Sequence, residues 1–149
     1  MQVIVQSEPF DAGEQLNIFT REAGSSGAVV SFSGVVRDIP EGLDCLSIEH
    51  YPSMAEKAIR KVCSQAYKRW NLDNILVIHR FGRLKKGELI MMVLTASQGR
   101  SDSFNAADFL MDFLKSNAPF WKKEIGLNKS SWVKTSNKDE QAIERWRNS

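Results

Sequence analysis

Cysteine is scarce in this chain: of 149 residues only Cys45 and Cys63 carry thiols. They form no CxxC pair and no Cys/His cluster, which excludes the familiar zinc frameworks and any metal site built on them. Two thiols, and an N-terminus "MQVIVQSEPF" without a basic segment or a long apolar run, are the pattern expected of a reduced cytoplasmic protein. No stretch approaches the roughly 20 apolar residues that a membrane span needs, so no membrane role is expected. Proline is rare, at four residues, and no repeat or Gly/Ser-rich linker interrupts the chain, so residues 1–149 are expected to form one domain. Walker and GxGxxG loops are missing, as is any Ser-His-Asp pattern. The net charge of +2 is too small to point to nucleic acid.

What charge there is lies unevenly. From Lys115 onward there are eight Lys/Arg against four Asp/Glu, which leaves twelve against fourteen before it. The C-terminal quarter is where an anionic ligand or partner is expected, although a basic surface would look the same. Hydrophobic patterning predicts strands at 2–6, 27–37, 43–51, 74–82, 88–97 and 130–135. Gly34, inside the second of these, suggests a bulge or a close backbone approach. Helices are predicted over 10–24, from Ser53 to about Trp70, over 101–118 and over 138–147. Asp11 with Glu14, and Ser53 with Glu56, read as capping boxes, and Gly24 as a helix end. Ala55, Ile59, Val62, Ala66 and Trp70 share one helix face, and Phe104, Ala107, Met111 and Leu114 another. Ser101 or Ser103 can cap the third helix, and Pro119 stops it. The "RLKKGE" segment reads as a hairpin-like link. Interleaved helices and strands with neighbouring strands close enough to pair antiparallel give an α+β class.

The candidate chemistry lies in cations near turns. His50 and His79 fall in strands and read as structural. Arg37 closes a strand, and Arg100, beside Gly99, sits at a strand-to-helix junction suited to an anion. In "FLKSNAPFWKKE", residues 113–124, Lys115 ends a helix while Lys122 and Lys123 follow a proline corner. Singly, each is explained by helix electrostatics or solvation. Together they could line a pocket for an anionic small molecule, with lysines whose mutual repulsion lowers their pKa. Phe120 and Trp121 could then wall that pocket.

Several segments, read in order, are specific. "FSGVVRD" at 32–38, "IEHYPSMAEKA" at 48–58, "VIHRFGRLKKGE" at 77–88, "GRSDSFNAADFLMDFLK" at 99–115 and "APFWKKE" at 118–124 resemble the catalytic large subunit of molybdopterin synthase, the MoaE family. The resemblance spans about Val3 to Trp146. It implies an α+β, hammerhead-like fold with an added antiparallel β subdomain. It implies a sulfurtransferase that moves sulfur from the C-terminal thiocarboxylate of a small ubiquitin-like subunit onto cyclic pyranopterin monophosphate, forming the molybdopterin dithiolene. The implied assembly is a homodimer within a heterotetramer, with no cofactor. By the same resemblance Lys115 and Lys122 are catalytic, and Val35, Val36, Arg37, Gly99, Arg100, Lys123 and Glu124 bind substrate. Phe32 and Met111 would meet the partner's tail.

Two departures from the family pattern stand out. Gly99 replaces a histidine, and Ser136, with Lys134 nearby, falls where the family often supplies an arginine across the dimer. Gly99 is the feature that favours an alternative, an impaired homologue that acts as a binding module for the small subunit. A nucleic-acid domain built on the basic C-terminal quarter is a further alternative, without a recognised motif to carry it.

Overall fold

The computed structural model describes residues 1–127 and 129–147. Two four-stranded sheets organise the chain. The first contains β1 (Gln2–Gln6), β4 (Leu72–Arg80), β6 (Leu89–Ser97) and β2 (Ala28–Val35), in the order β1-β4-β6-β2. Its β1–β4 pair is parallel, and β4–β6 and β2–β6 are antiparallel. The second sheet runs β5 (Gly82–Leu84), β3 (Leu43–His50), β7 (Phe120–Gly126) and β8 (Ser130–Trp132), antiparallel throughout. This is the α+β class expected, and the second sheet is its antiparallel addition.

The first sheet is covered on both faces, which explains why "NILVI" and "IMMVL" are nearly unbroken apolar runs. Ile75, Val77, Met91 and Val93 turn to one side, where α2 (Pro52–Arg69) and α3 (Arg100–Ser116) bring Ile59, Val62, Ala106 and Leu110. Leu76, Ile78, Met92 and Leu94 turn to the other, against Phe19 of α1 (Ala12–Glu22). A third cluster, Val36, Leu43, Leu46, Ile48 and Leu84, belongs to the second sheet and the loop leading into it.

Helix boundaries follow local chemistry with two corrections. Asp11 caps α1 through Oδ1, which accepts from Glu14 N at 2.9 Å, and Gly24 takes φ +57° just past its end. At α2 the expected Ser53 cap is displaced. Pro52, with φ already preset, starts the helix a residue earlier from Tyr51, and Glu56 pairs with Arg60 at 2.9 Å instead. At α3 the cap position is Gly99, without a side-chain bond, and Ser103 is buried. Ser103 Oγ meets Ser97 Oγ at 2.5 Å, and Thr95 Oγ1 donates to Ser103 O at 2.8 Å. These hydroxyls turn the helix so that Ser103, Ala106, Ala107, Leu110 and Leu114 face inward. Phe104, expected in the core stripe, is consequently 60% exposed.

Gly34 shows both features expected of it. The β2–β6 register shifts between Gly34 and Val35, and a Cβ at Gly34 would lie 2.9 Å from Met91 Cγ. The "RLKKGE" region is more than a hairpin link, because Gly82–Leu84 crosses to the second sheet and pairs with β3. β7 has no counterpart among the predicted strands. Its "FWKKEIG" is polar, and its partner β3 lies far away in sequence.

Candidate active site

A cavity of about 650 Å³ opens where the second sheet meets the C-terminal end of α3. Val35, Val36 and Arg37 reach it from the end of β2, Lys115 from the last turn of α3, and Lys122 and Glu124 from β7. The proline corner makes this possible. α3 stops at Ser116, and the chain re-enters as β7 at Phe120, so Lys115 and Lys122 approach one space from two elements. Lys122 and Glu124, two positions apart on a strand, share a face. Their cross-strand partners are Ile48 and Leu46, both nearly dry. The Lys122 stem therefore runs over apolar wall. Burial, then the positive charge of Lys115, lowers its pKa to about 8, and Asp139 opposes the shift.

The aromatic corner does different work from that expected. Neither Phe120 nor Trp121 lines the cavity. Phe120 stacks on His79 with ring centroids 3.8 Å apart, and Trp121 packs edge-on against Tyr51 at 5.2 Å. His79 is wholly buried. Its Nδ1 donates to Arg80 O at 2.8 Å, and its Nε2 has no partner among the described residues. Burial, with the Lys122 charge second, pushes its pKa down to about 3.

Other sequence-derived candidates lie outside the cavity. Arg100 opens α3, fifteen residues from Lys115 on one helix, or roughly 22 Å along its axis, and Gly99 is the cap before it. Gly99 has ordinary extended backbone, φ −119°, and an added Cβ there would meet nothing within 4 Å. Lys123 points to the other face of β7, its Nζ 5.3 Å from the Trp132 ring. Phe32 is exposed on β2, three residues or roughly 10 Å before Val35. Met111 is half-buried against the α2–α3 core.

The family profile described as "MoaE protein" matches residues 5–117. The chain belongs to the MoaE family. A curated relative from Cereibacter sphaeroides, named molybdopterin synthase catalytic subunit, is 49% identical over 146 residues, covering 98% of this chain and all of that one. A protein of the same name from Pseudomonas aeruginosa is 43% identical over 148 residues, covering 98% and 99%. The solved structure of a molybdopterin biosynthesis MoaE protein from Burkholderia ambifaria superposes with a TM-score of 0.84 at 35% identity, covering 98% of this chain and 97% of that one.

In this MoaE-family chain the cavity also contains Asp38 and Asp139, which the sequence did not single out, and Ser136, which it marked only as a departure from the family pattern. Asp38 fixes the loop after Arg37: its Oδ1 accepts from Ile39 N at 2.9 Å and Leu43 N at 2.7 Å, and these bonds hold its carboxyl below the usual range. Ser136 and Asp139 line it from the start of α4 (Asn137–Glu144). α4 is docked on α3 by Arg145, whose Nη2 lies 2.7 Å from both Asp108 and Asp112, and by Trp146 Nε1, which donates to Asp112 at 2.6 Å. The S-x-x-D spacing at 136–139 was the available signal, since it is the pattern of a helix start.

Proposed function

We propose that this chain is the catalytic subunit of a molybdopterin synthase, transferring sulfur from the C-terminal thiocarboxylate of a small ubiquitin-like subunit to cyclic pyranopterin monophosphate in the cytoplasm. The observation that carries this reading is the convergence of Lys115 and Lys122 on one cavity with Arg37, Lys122 being desolvated there. Both reactants are anions. Bringing them together needs fixed positive charge, which Arg37 and Lys115 supply at the rim. A Lys122 with a pKa of about 8 gives up and regains a proton near neutral pH, as the later steps require. Val35 and Val36 form the apolar side against the pterin, and Glu124 accepts hydrogen bonds from it. The donor's tail enters along β2, past Phe32 toward Val35, with Met111 as its further contact.

Gly99 and Arg100 cannot reach the cavity of their own protomer across the length of α3. In this reading a second copy brings them, so the homodimer completes each site, and Lys123 lies on the flank. Arg100 then grips the substrate anion from across the interface. The room around Gly99 marks where the family's imidazole would stand, so its loss weakens binding of the pterin and leaves the lysine pair intact.

The test is reconstitution with thiocarboxylated small subunit and the cyclic pterin, followed by detection of the dithiolene product. Lys115→Ala and Lys122→Ala should each lose most turnover and keep the fold. Mixing Lys122→Ala with Arg100→Ala should restore part of the activity, because one of the two mixed sites is then intact. Near-normal transfer by both lysine variants would overturn the assignment.

A further inference from the structure

A second cavity, of about 410 Å³, opens between α2, α3 and the end of α4, and it shares no lining residue with the first. α3 stands between the two. Phe113 lines this cavity and Lys115 the other, because residues two apart on a helix point to nearly opposite sides. Much of the lining is apolar: Val62 from α2, Phe109 and Phe113 from α3, Ile143 from α4 and Trp146 from the turn after it. The aromatic part is already set. Trp146 packs edge-on against Phe109 at 5.5 Å, and its Nε1 donates to Asp112 at 2.6 Å. Trp70 meets Phe109 at 5.4 Å. A wall fixed by its own contacts loses little freedom when a ligand ring settles on it.

The charged lining has one sign. It consists of Lys61, Arg69 and Arg147, and no carboxylate is among the lining residues. Arg69 is built into the wall: its Nη2 donates to Trp146 O at 2.7 Å, and its guanidinium lies 4.9 Å from the Phe109 ring centroid. Lys61 and Arg147 are exposed, and among the described residues neither makes an ion pair. The α3 carboxylates Asp108 and Asp112 already hold Arg145. The surroundings have the same sign, since α2 carries five Lys/Arg against one acid, Glu56, which pairs with Arg60. Helix-end electrostatics accounts for Lys68 and Arg69 in the last turn of α2. It does not account for Lys61, which lies about two turns earlier. Solvation alone would explain Lys61, but not its meeting Arg69 and Arg147 at one apolar space.

We propose that this cavity is a second ligand site, for a small aromatic oxyanion: a flat ring system lies against Phe109, Phe113 and Trp146, and its carboxylate or phosphate is held by Lys61 and Arg147. The volume of about 410 Å³ falls within the roughly 300–1,000 Å³ of small-molecule pockets and suits two fused rings. A neutral ring would leave the cations without an anion. An anion without a ring would gain little more here than at any exposed cation. The site is independent of the sulfur-transfer reading.

The probes are 2-naphthoate, 2-naphthyl phosphate and the neutral 2-naphthamide, titrated into the full chain and followed by NMR mapping of amide shifts. Both anions should shift the amides around Val62, Phe113 and Trp146. They should bind roughly tenfold more tightly than naphthamide, because charge-assisted hydrogen bonds are the stronger kind. Combining Lys61→Gln with Arg147→Gln should remove that preference and keep the thermal midpoint, both side chains being exposed. Anions also suit the first cavity, so the titration is repeated in Lys122→Ala, which should leave the shifts at Val62, Phe113 and Trp146 in place. Absence of these shifts with either anion overturns the proposal, as does equal binding of naphthamide. A preference that survives in the double variant, or shifts that vanish in Lys122→Ala, overturns it too.

Discussion

Acid should destabilise this protein well above the pH at which its carboxylates titrate, and His79 is the reason. The ring is fully buried, stacked on Phe120, and donates from Nδ1 to Arg80 O, leaving Nε2 without a partner among the described residues. Its pKa falls from 6.5 to about 3 in the folded protein. The folded state therefore keeps the ring neutral where the unfolded chain protonates it. Between these two values the unfolded state binds more protons, so stability rises with pH and is lost as pH falls below about 6.5. One group contributes about 1.4 kcal/mol per pH unit in that window, or about 2 kcal/mol between pH 7.5 and pH 5. For a chain of this size that is a fall in Tm of roughly 4–8 °C. His50, whose pKa burial also lowers, adds in the same direction. Asp38, held low, loses its contribution only at pH values below this window. The assay is thermal or urea unfolding from pH 7.5 to 5, with His79→Phe as the control that preserves the stack and removes the proton site. A wild-type Tm unchanged between pH 7.5 and 5, or an equally steep fall in His79→Phe, would refute the reasoning.

Gly99→His should fold with its midpoint within about 0.5 kcal/mol of wild type, because the backbone is extended and the space around it is open, while pterin affinity in the reconstituted enzyme rises. Gly34→Ala should cost about 1–3 kcal/mol in urea unfolding, since its Cβ would press on the buried Met91. Trp146→Ala should cost about 3 kcal/mol and speed proteolysis near α4, because it removes edge contacts to Trp70 and Phe109, both at 5.5 Å, and the bond to Asp112. Cys63, its thiol pushed up to about 12 by burial, should resist thiol reagents at pH 8 in the native protein and react once urea unfolds it.

Much of this fold is legible in the sequence because its information is local. "NILVI" and "IMMVL" are strands covered on both faces, and Ile59, Val62 and Ala66 repeat at helical spacing. Asp11 and Gly24 punctuate α1 through bonds made within a few residues. The family itself is legible in short segments such as "EHYPSM" and "APFWKKE", as is the set of cations. The errors share one cause. Ser53 and Ser103 look like caps until Pro52 and the Thr95–Ser97–Ser103 hydroxyls compete, and Phe104 looks buried until those hydroxyls fix the rotation of α3.

The site is a different matter. β7 is a strand because β3 offers it a ladder, and no propensity in "FWKKEIG" announces that. Lys122 is distinguished from Lys123 only by which face of that strand looks into the cavity. Arg100 and Lys115 look like neighbours in function, and one rigid helix holds them apart. Asp139 enters the site because Asp108 and Asp112 hold Arg145 many residues further on. The four helices, the strands of the first sheet, the family and the supply of charge were legible in the residues alone, since hydrophobic period and short-range hydrogen bonding act within a few residues. Tertiary structure alone decided which charges share a cavity and how dry it is, because desolvation and Coulomb interactions depend on distances between elements remote in the chain.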